Sequence, residues 1–382
     1  MKKVAVIGSG EFQLPLIMAA KNQGVETHVF SWGGNESVAD FFYKISIVEK
    51  EQILDKCKQL EIDGICSIGS DLANITVNYV ALAMGLVTNS EACTIFTTNK
   101  FLMRKVLKKE GIPIPEFTYL SKAVDFKPTS FPIIVKPIDR SGSRGISLVE
   151  KYDDIERAIE SAYIESFTKE ILIEQYISGR EFSVESISYN GEHEVLQITE
   201  KFTTEAPDFI ETGHTCPARI TAFEKKLITD VIYKLLDAVC MINGASHSEL
   251  KIDENGDVYI IEIGSRMGGD YIGSDLVKDS TGFDFVTAVL DISLGKPYQR
   301  DNYISDLIEP RASIVKFLFN RTDLVIADSI KEIKNLSVLH SVFNESAMLE
   351  GKKIKSSADR YGHILVSVCK EKQSDTLSIL GF

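Results

Sequence analysis

Between Ser246 and Asp270 two β-favouring runs, Ser-His-Ser-Glu-Leu-Lys-Ile-Asp and Val-Tyr-Ile-Ile-Glu-Ile-Gly-Ser-Arg-Met-Gly-Gly-Asp, flank the turn Glu254-Asn255-Gly256-Asp257. An Asn-Gly pair between such runs predicts a two-residue hairpin loop in a type I′ turn, because both central residues tolerate positive φ. Counting outward from that turn sets Glu254 against Asp257, Ile252 against Tyr259, Leu250 against Ile261 and Glu249 against Glu262. Two carboxylates then face each other across the ladder. Directly opposed residues have Cβ atoms about 5 Å apart, and like charges there are destabilising. At an effective dielectric of about 20 the repulsion is roughly 3 kcal/mol. The pair therefore requires either a solvated face on which the side chains splay apart or a hard cation. Mg²⁺ takes one or two carboxylates together with phosphate oxygens and water. Gly264, Gly268 and Gly269 follow the second strand with Arg266 among them, so backbone and guanidinium can approach an anion closely, which favours the cation.

The rest of the composition narrows the class of partner. The chain has 382 residues, 44% hydrophobic and 25% charged, enough for more than one domain and a core that needs no disulfides. With 42 Lys and Arg against 55 Asp and Glu, the net charge of −13 argues against nucleic acid or an anionic membrane surface as main partner. An anionic small molecule would need locally placed cations. The opening Met-Lys-Lys-Val-Ala-Val-Ile-Gly reads as a first strand rather than a secretory segment, and no run is long enough to span a membrane, so a cytoplasmic location is expected. Cys57, Cys66, Cys93, Cys216, Cys240 and Cys369 are scattered, with no Cys-x-x-Cys and no zinc-type Cys/His spacing, and are expected as reduced thiols.

Up to about Gly85 short apolar strands alternate with amphipathic helices: strands at Val4 to Ile7, Glu26 to Phe30, Lys44 to Val48 and Gly64 to Ile68, with Asp71 placed to cap a helix that ends at Gly85. That alternation predicts an open, mostly parallel α/β sheet. The first turn, Gly8-Ser9-Gly10-Glu11-Phe12-Gln13, departs from a dinucleotide fingerprint: Gln13 stands at the third glycine position, and Ser31-Trp32-Gly33-Gly34 replaces the acidic residue after the second strand. A Lys- and Arg-rich helix runs from Asn99 to Gly111, with Lys100 at its start, where the macrodipole disfavours a cation unless an anion is bound. Phe131 to Pro137 reads as a strand carrying one charge, Lys136. The following loop through Ser141, Gly142, Ser143, Gly145 and Ser147 is of the kind whose backbone N–H groups can cradle phosphate. Ile171 to Glu185 reads as two strands joined at Ser178-Gly179. The linker around Tyr176 and Ile177 offers backbone groups and apolar side chains to a purine. An Asn190-Gly191 hairpin follows. Glu200 to Arg219 reads as an irregular polar loop holding Glu211 and His214; Thr221 and Glu224 form a capping box before a helix; strands are expected at Ala312 to Phe319 and His363 to Val368.

In this order the pieces resemble the ATP-grasp superfamily: Asn99-Lys100 with Gly111-Ile-Pro-x-Pro115, Ile134-Val-Lys136-Pro137, the loop to Ser147, Glu174-Gln-Tyr-Ile-x-Gly-x-Glu181, then Glu249 and Glu262-x-x-x-Arg266. More narrowly, His247-x-Glu249 and Glu262-Ile-Gly-Ser-Arg266-Met-Gly-Gly-Asp270 look like carboxylate–amine ligases of the L-amino-acid ligase and carnosine-synthase-like group. The resemblance implies an α/β and α+β architecture, an ATP-grasp fold preceded by an open, Rossmann-like pre-ATP-grasp α/β domain. Residues 1–90 would form that first domain, 91–307 the ATP-grasp domain with a lid at about 112–190, and 308–382 a small C-terminal α+β module.

Carried over residue by residue, the resemblance assigns Lys100 and Lys136 to the ATP phosphates and Ser141, Gly142, Ser143, Gly145 and Ser147 to a lid over them. Glu174, Gln175, Tyr176 and Ile177 would meet adenine and Glu181 the ribose. Glu249 and Glu262 would hold Mg²⁺, or Mn²⁺ in its place, and Arg266 would act with Lys136 on the reacting groups. Glu211, His214, His247, Arg266, Gly268, Gly269 and Asp270 would form the substrate pocket. Gly264 departs from the pattern, since many members carry a metal-binding Asn there. The implied reaction is ATP-dependent amide formation between a small-molecule carboxylate and an amine, with amino acids as expected substrates and a homodimer as the common assembly. A bicarbonate-using enzyme, similar to carbamoyl-phosphate synthase or biotin carboxylase, and a non-catalytic ATP-binding protein are the alternatives.

Overall fold

The computed structural model describes residues 1–382 except 122–125, 141, 143, 205–208, 306–308, 331–332, 334–335 and 346–355. Its first sheet is parallel, ordered β3-β2-β1-β4, from β1 (Lys3–Ile7), β2 (Glu26–Phe30), β3 (Phe41–Tyr43) and β4 (Gly64–Cys66). Helices α1 (Leu14–Asn22), α2 (Lys50–Leu60) and α3 (Asp71–Met84) connect these strands or follow them. The third strand is displaced from the expected Lys44 to Val48: Phe41 and Tyr43 make the pairing, and their rings stack on His28, at 5.0 and 5.9 Å between centroids. An aromatic cluster on the sheet edge outweighs the β-branched run that follows it.

Helices α4 (Glu91–Thr98) and α5 (Lys100–Lys109) lead into a four-stranded antiparallel sheet, β5-β8-β6-β7, formed by β5 (Phe117–Leu120), β6 (Ile133–Pro137), β7 (Ser147–Val149) and β8 (Ile171–Gln175). Helix α6 (Ile155–Glu165) packs its Ile155, Ala158, Ile159 and Ala162 on it, the spacing of one helical face.

The largest sheet has eight strands in the order β13-β12-β9-β10-β11-β14-β16-β15. They are β9 (Arg180–Tyr189), β10 (Glu192–Thr203), β11 (Glu211–Cys216), β12 (Gly244–Ile252), β13 (Val258–Gly264), β14 (Arg311–Leu318), β15 (Ser337–Phe343) and β16 (Gly362–Cys369). Strands after residue 310 thus continue the same sheet. The stretch expected as an irregular loop, Glu200 to Arg219, is a correction: β10 runs to Thr203 and β11 supplies Glu211–Cys216, with Gly213 and His214 paired to Lys316 and Val315. Polar residues there face a cleft, so polarity did not mark a loop. Helix α7 (Ala222–Ala238) opens with the Thr221/Glu224 capping box, and its Ile228, Val231, Ile232, Leu235 and Leu236 are buried. Helices α8 (Val277–Thr281), α9 (Phe285–Ser293), α10 (Arg321–Ile330) and α11 (Gln373–Ile379) complete the described elements used below. No described helix is long and apolar enough to cross a membrane.

Candidate active site

The hairpin of β12 and β13 differs from expectation at its turn and agrees with it at its far end. Asp253 N–H donates to the Asp257 carbonyl at 3.0 Å, leaving a three-residue loop, and its carboxylate accepts from Asn255 and Asp257 N–H at 2.9 Å each. Only Gly256 of the loop has positive φ, 86°, so the loop is not type I′; the side chain of Asp253 stabilises the alternative. Two positive-φ residues do occur at Asn190 and Gly191, which join β9 to β10. The longer loop shifts the pairing, placing Ile252 against Val258 and Leu250 against Ile260. A bulge at Ile261 then takes up the extra residue and restores Glu249 opposite Glu262. The Ile261 carbonyl accepts from Arg104 Nη2 at 2.8 Å.

Cations gather around the two carboxylates. Glu249 Oε1 accepts from Lys201 Nζ at 2.9 Å and lies 3.4 Å from His247 Nε2, and Glu262 Oε1 accepts from Lys100 Nζ at 2.7 Å. Burial opposes ionisation of Glu249, but Lys201 and then His247 outweigh it and hold the carboxyl well below its ordinary range. Lys201 also meets Glu181 at 3.0 Å and Glu211 at 3.1 Å. Burial works against its charge, while Glu249, Glu181 and Glu211 together push the ammonium well above the usual lysine value. His247, cross-strand partner of Glu185, bonds to it through Nδ1; despite burial this carboxylate raises the imidazole to about 9. The second oxygen of Glu185 accepts from Gly268 N–H at 2.8 Å.

Arg266 is held by a residue far away in sequence. Its Nε and Nη2 donate to the two oxygens of Asp71 at 2.7 and 2.9 Å, a bidentate pair. Burial disfavours both charges, yet each partner keeps the other ionised, Asp71 below its usual range and Arg266 above. Asp71 therefore does not cap α3; Ser70 does, accepting from Ala73 N–H at 3.2 Å. This pair also explains Gly264. A Cβ at that position would stand 2.7 Å from Asp71 Oδ1 and 3.2 Å from Arg266 Nε, so the volume of a side chain is already filled. Gly264→Asn is accordingly expected to displace Asp71 from Arg266 rather than to add a ligand. Turnover of the enzyme proposed below should fall on the order of 100-fold, because misplacing a reacting group by about an ångström costs that much. Steady-state kinetics check this, and an unchanged kcat would separate the Asp71 contact from turnover.

Lys136 lies at the end of β6, 2.6 Å from Glu174 Oε2, and Glu174 Oε1 accepts from Arg104 Nε at 2.5 Å. Burial, helped by Arg104 and Lys100, lowers the Lys136 ammonium despite Glu174. The carboxylate assigned to adenine is thus occupied in orienting a lysine.

One cleft collects Lys100, Lys136, Gly142, Glu174, Gln175, Tyr176, Ile177, Glu181, Glu211, His247, Glu249, Glu262 and Arg266. Its apolar wall includes Pro115, Ile134, Ile146, Ile177, Phe209 and Ile261. Gly145 and Ser147 lie outside the cleft lining, and Ser141 and Ser143 fall outside the described residues. Gly268, Gly269, His214 and Asp270 stand beside the cleft. Arg360 links Asp270 to it, donating to Asp270 Oδ1 at 2.8 Å and to Glu211 Oε2 at 3.2 Å. His214 Nε2 is 3.8 Å from Asp270. Arg104, Glu185, Lys201, Phe209 and Arg360 were not singled out from the sequence, and Asp71 was read only as a helix cap. Arg104 had a signal, a charge between Met103 and Leu107 on the buried stripe of α5, and Lys201 and Glu185 had weaker ones, as charges inside alternating strands. Asp71 and Arg360 had none.

Residues 129–275 match the family model of the ATP-grasp domain. The chain carries an ATP-grasp domain. It is 35% identical over 184 residues to the D-alanine--D-alanine ligase of Flavobacterium psychrophilum, a match covering 45% of this chain and 55% of that one. A carbamoyl phosphate synthase large chain of Thermoanaerobacter sp. is 23% identical over 329 residues, 80% of this chain and 30% of the relative. The chain thus spans between about a third and just over half of these curated relatives. Among solved structures, L-amino acid ligase from Bacillus licheniformis superposes with a TM-score of 0.80 at 23% identity, covering 99% of this chain and 97% of that one. The ATP-grasp fold therefore extends over nearly the whole chain. The cleft lies between the two antiparallel sheets, which supply Lys136 and Glu174 from one and Glu249 and Glu262 from the other.

Proposed function

We propose that the protein is an ATP-dependent carboxylate–amine ligase that forms an amide, of dipeptide type, and releases ADP and phosphate. The observation that carries this reading is the placement of Glu249 and Glu262 face to face, with Arg266 fixed by Asp71 at the end of the same strand and Lys100, Lys136 and Lys201 in one cleft. Glu249 and Glu262 would hold Mg²⁺ or Mn²⁺. Two opposed carboxylates that already need several cations to neutralise them are a donor set of hard oxygens. When bound, the ion supplies charge neutralisation on phosphate oxygens.

The chain's own residues account for the remaining needs. Phosphoryl transfer asks for positioning and for neutralisation of charge spread over the γ-phosphoryl oxygens. Lys136, oriented by Glu174, and Lys100 at the start of α5 would hold the phosphates. The Tyr176–Ile177 linker with Phe209 takes the base, and Glu181 takes the ribose. A substrate carboxylate oxygen attacks the γ-phosphorus, the bond to the β–γ bridging oxygen breaks and ADP leaves. The amine then attacks the acyl carbon, phosphate departs and the amine gives up a proton. Arg266 faces the reacting carboxylate and phosphoryl group. Glu211 lines the side at which an amino acid's ammonium and carboxylate would be read, and Arg360 ties it to Asp270 behind, with the buried His214 beside Asp270. Acyl phosphates hydrolyse readily, which the lid formed by the sheet of β5 to β8 and the loop at Gly142 would prevent by excluding water.

The test is ADP and phosphate release from Mg²⁺-ATP against a matrix of paired amino acids and other small acids and amines, with mass spectrometry of the products. Release that requires a particular pair, with a product of their summed mass less water, is expected. Release with bicarbonate alone would replace the ligase reading with a carboxylating one, and nucleotide binding without turnover on any pair would remove catalysis altogether.

A further inference from the structure

Three distant segments meet outside the cleft. Glu11 comes from the short turn Glu11–Gln13 after β1, His340 from β15 and His363 from β16, with Tyr271 between them. Val342 pairs with His363, so His340, two residues away, shares its face and becomes its diagonal neighbour. His340 Nδ1 stands 2.6 Å from His363 Nε2. Tyr271 Oη donates to Glu11 Oε1 at 2.6 Å and lies 3.4 Å from His363 Nδ1. One ligand atom from each of Glu11, His340 and His363 lies within 4.8 Å of the other two.

Two imidazole nitrogens this close must share either a proton or a cation. Two imidazoles and a carboxylate make a mixed nitrogen and oxygen set, which suits Zn²⁺ and its d-block neighbours; Mg²⁺ and Ca²⁺ prefer oxygen alone. The Tyr271 phenol orients the Glu11 carboxylate, as groups behind metal ligands do. Tyr271 holds a left-handed backbone, φ 65°, as does Asp270 at 53°, and that turn delivers the phenol to the cluster.

We propose that Glu11, His340 and His363 form a binding site for a divalent d-block ion of the Zn²⁺ class, separate from the Glu249 and Glu262 pair. A bound ion would tie the first βα turn to the outer strands of the large sheet. The proposal does not depend on the ligase reading.

The test uses the full chain carrying Glu249→Gln and Glu262→Gln, which removes the competing carboxylates, and probes it with Zn²⁺ alone and Co²⁺ alone. Equilibrium dialysis with elemental analysis should find about one Zn²⁺ per chain, and Co²⁺ should give visible ligand-field absorption. Glu11 and His340 are exposed, so Glu11→Gln and His340→Ala can be made without opening the core. Each should weaken Zn²⁺ binding by about ten-fold or more and reduce the Co²⁺ spectrum, while circular dichroism shows the fold retained. Absence of binding, or binding equal in the substituted and unsubstituted chains, would overturn the proposal.

Discussion

Glu262→Gln should reduce ADP release by at least about 100-fold while leaving the protein folded. The carboxylate is 30% exposed to the cleft and its contact is Lys100, so an amide of the same shape leaves the β12/β13 ladder and the core unaltered. What is lost is one unit of negative charge at the position proposed to anchor the metal. Removing one preorganised electrostatic contact to a developing charge costs roughly 100- to 1,000-fold in kcat. Coupled ADP detection with saturating substrates and thermal melts followed by circular dichroism measure the two halves of this expectation. Normal turnover in the substituted protein would remove Glu262 from the metal site. An unfolded protein would instead assign the residue a structural role that its exposure does not suggest.

Arg104→Met should have the largest effect on stability. The guanidinium is fully buried, and Glu174 and Lys136, which depend on it, are 4% and 5% exposed. Methionine fills a similar volume, so the cost is electrostatic and not a cavity. Glu174 would keep one cation where it had two, and the Ile261 carbonyl at the bulge would lose its donor. Breaking a buried ion network by removing one partner costs about 3–5 kcal/mol. Urea melts at constant m-value would show it, and a loss under about 1 kcal/mol would mean that Lys136 alone satisfies Glu174. Because Glu174 also orients Lys136, ATP turnover should suffer in the protein that remains folded.

The ATP-grasp elements were legible because each has a local cause. Asn99 caps α5 through its own side chain, accepting from Leu102 N–H at 3.0 Å, and Thr221 and Glu224 cap α7 reciprocally. The turn at Asn255-Gly256 shows the limit of such reasoning. Asp253 drew the loop into a different shape, the strands slipped by one residue, and the bulge at Ile261 cancelled the slip. Glu249 still meets Glu262, by a route that turn chemistry alone does not contain.

Residue type and spacing by themselves determined the alternation of strands and helices and the capping box of α7, since these depend on neighbours within a few residues; the ATP-grasp segments were read from a resemblance, and the opposed glutamates were expected from a turn that the structure replaces. Only the tertiary structure decided what neutralises those glutamates, that Asp71 fixes Arg266 and fills the space beside Gly264, that Glu174 serves Arg104 and Lys136, and that Glu11 meets two histidines more than three hundred residues away. Apart from the last, whose Glu11 and His340 are exposed, these are contacts of buried charge. Their partners are chosen by which chain segments the core brings within Coulombic reach, and that choice leaves no periodic trace along the sequence.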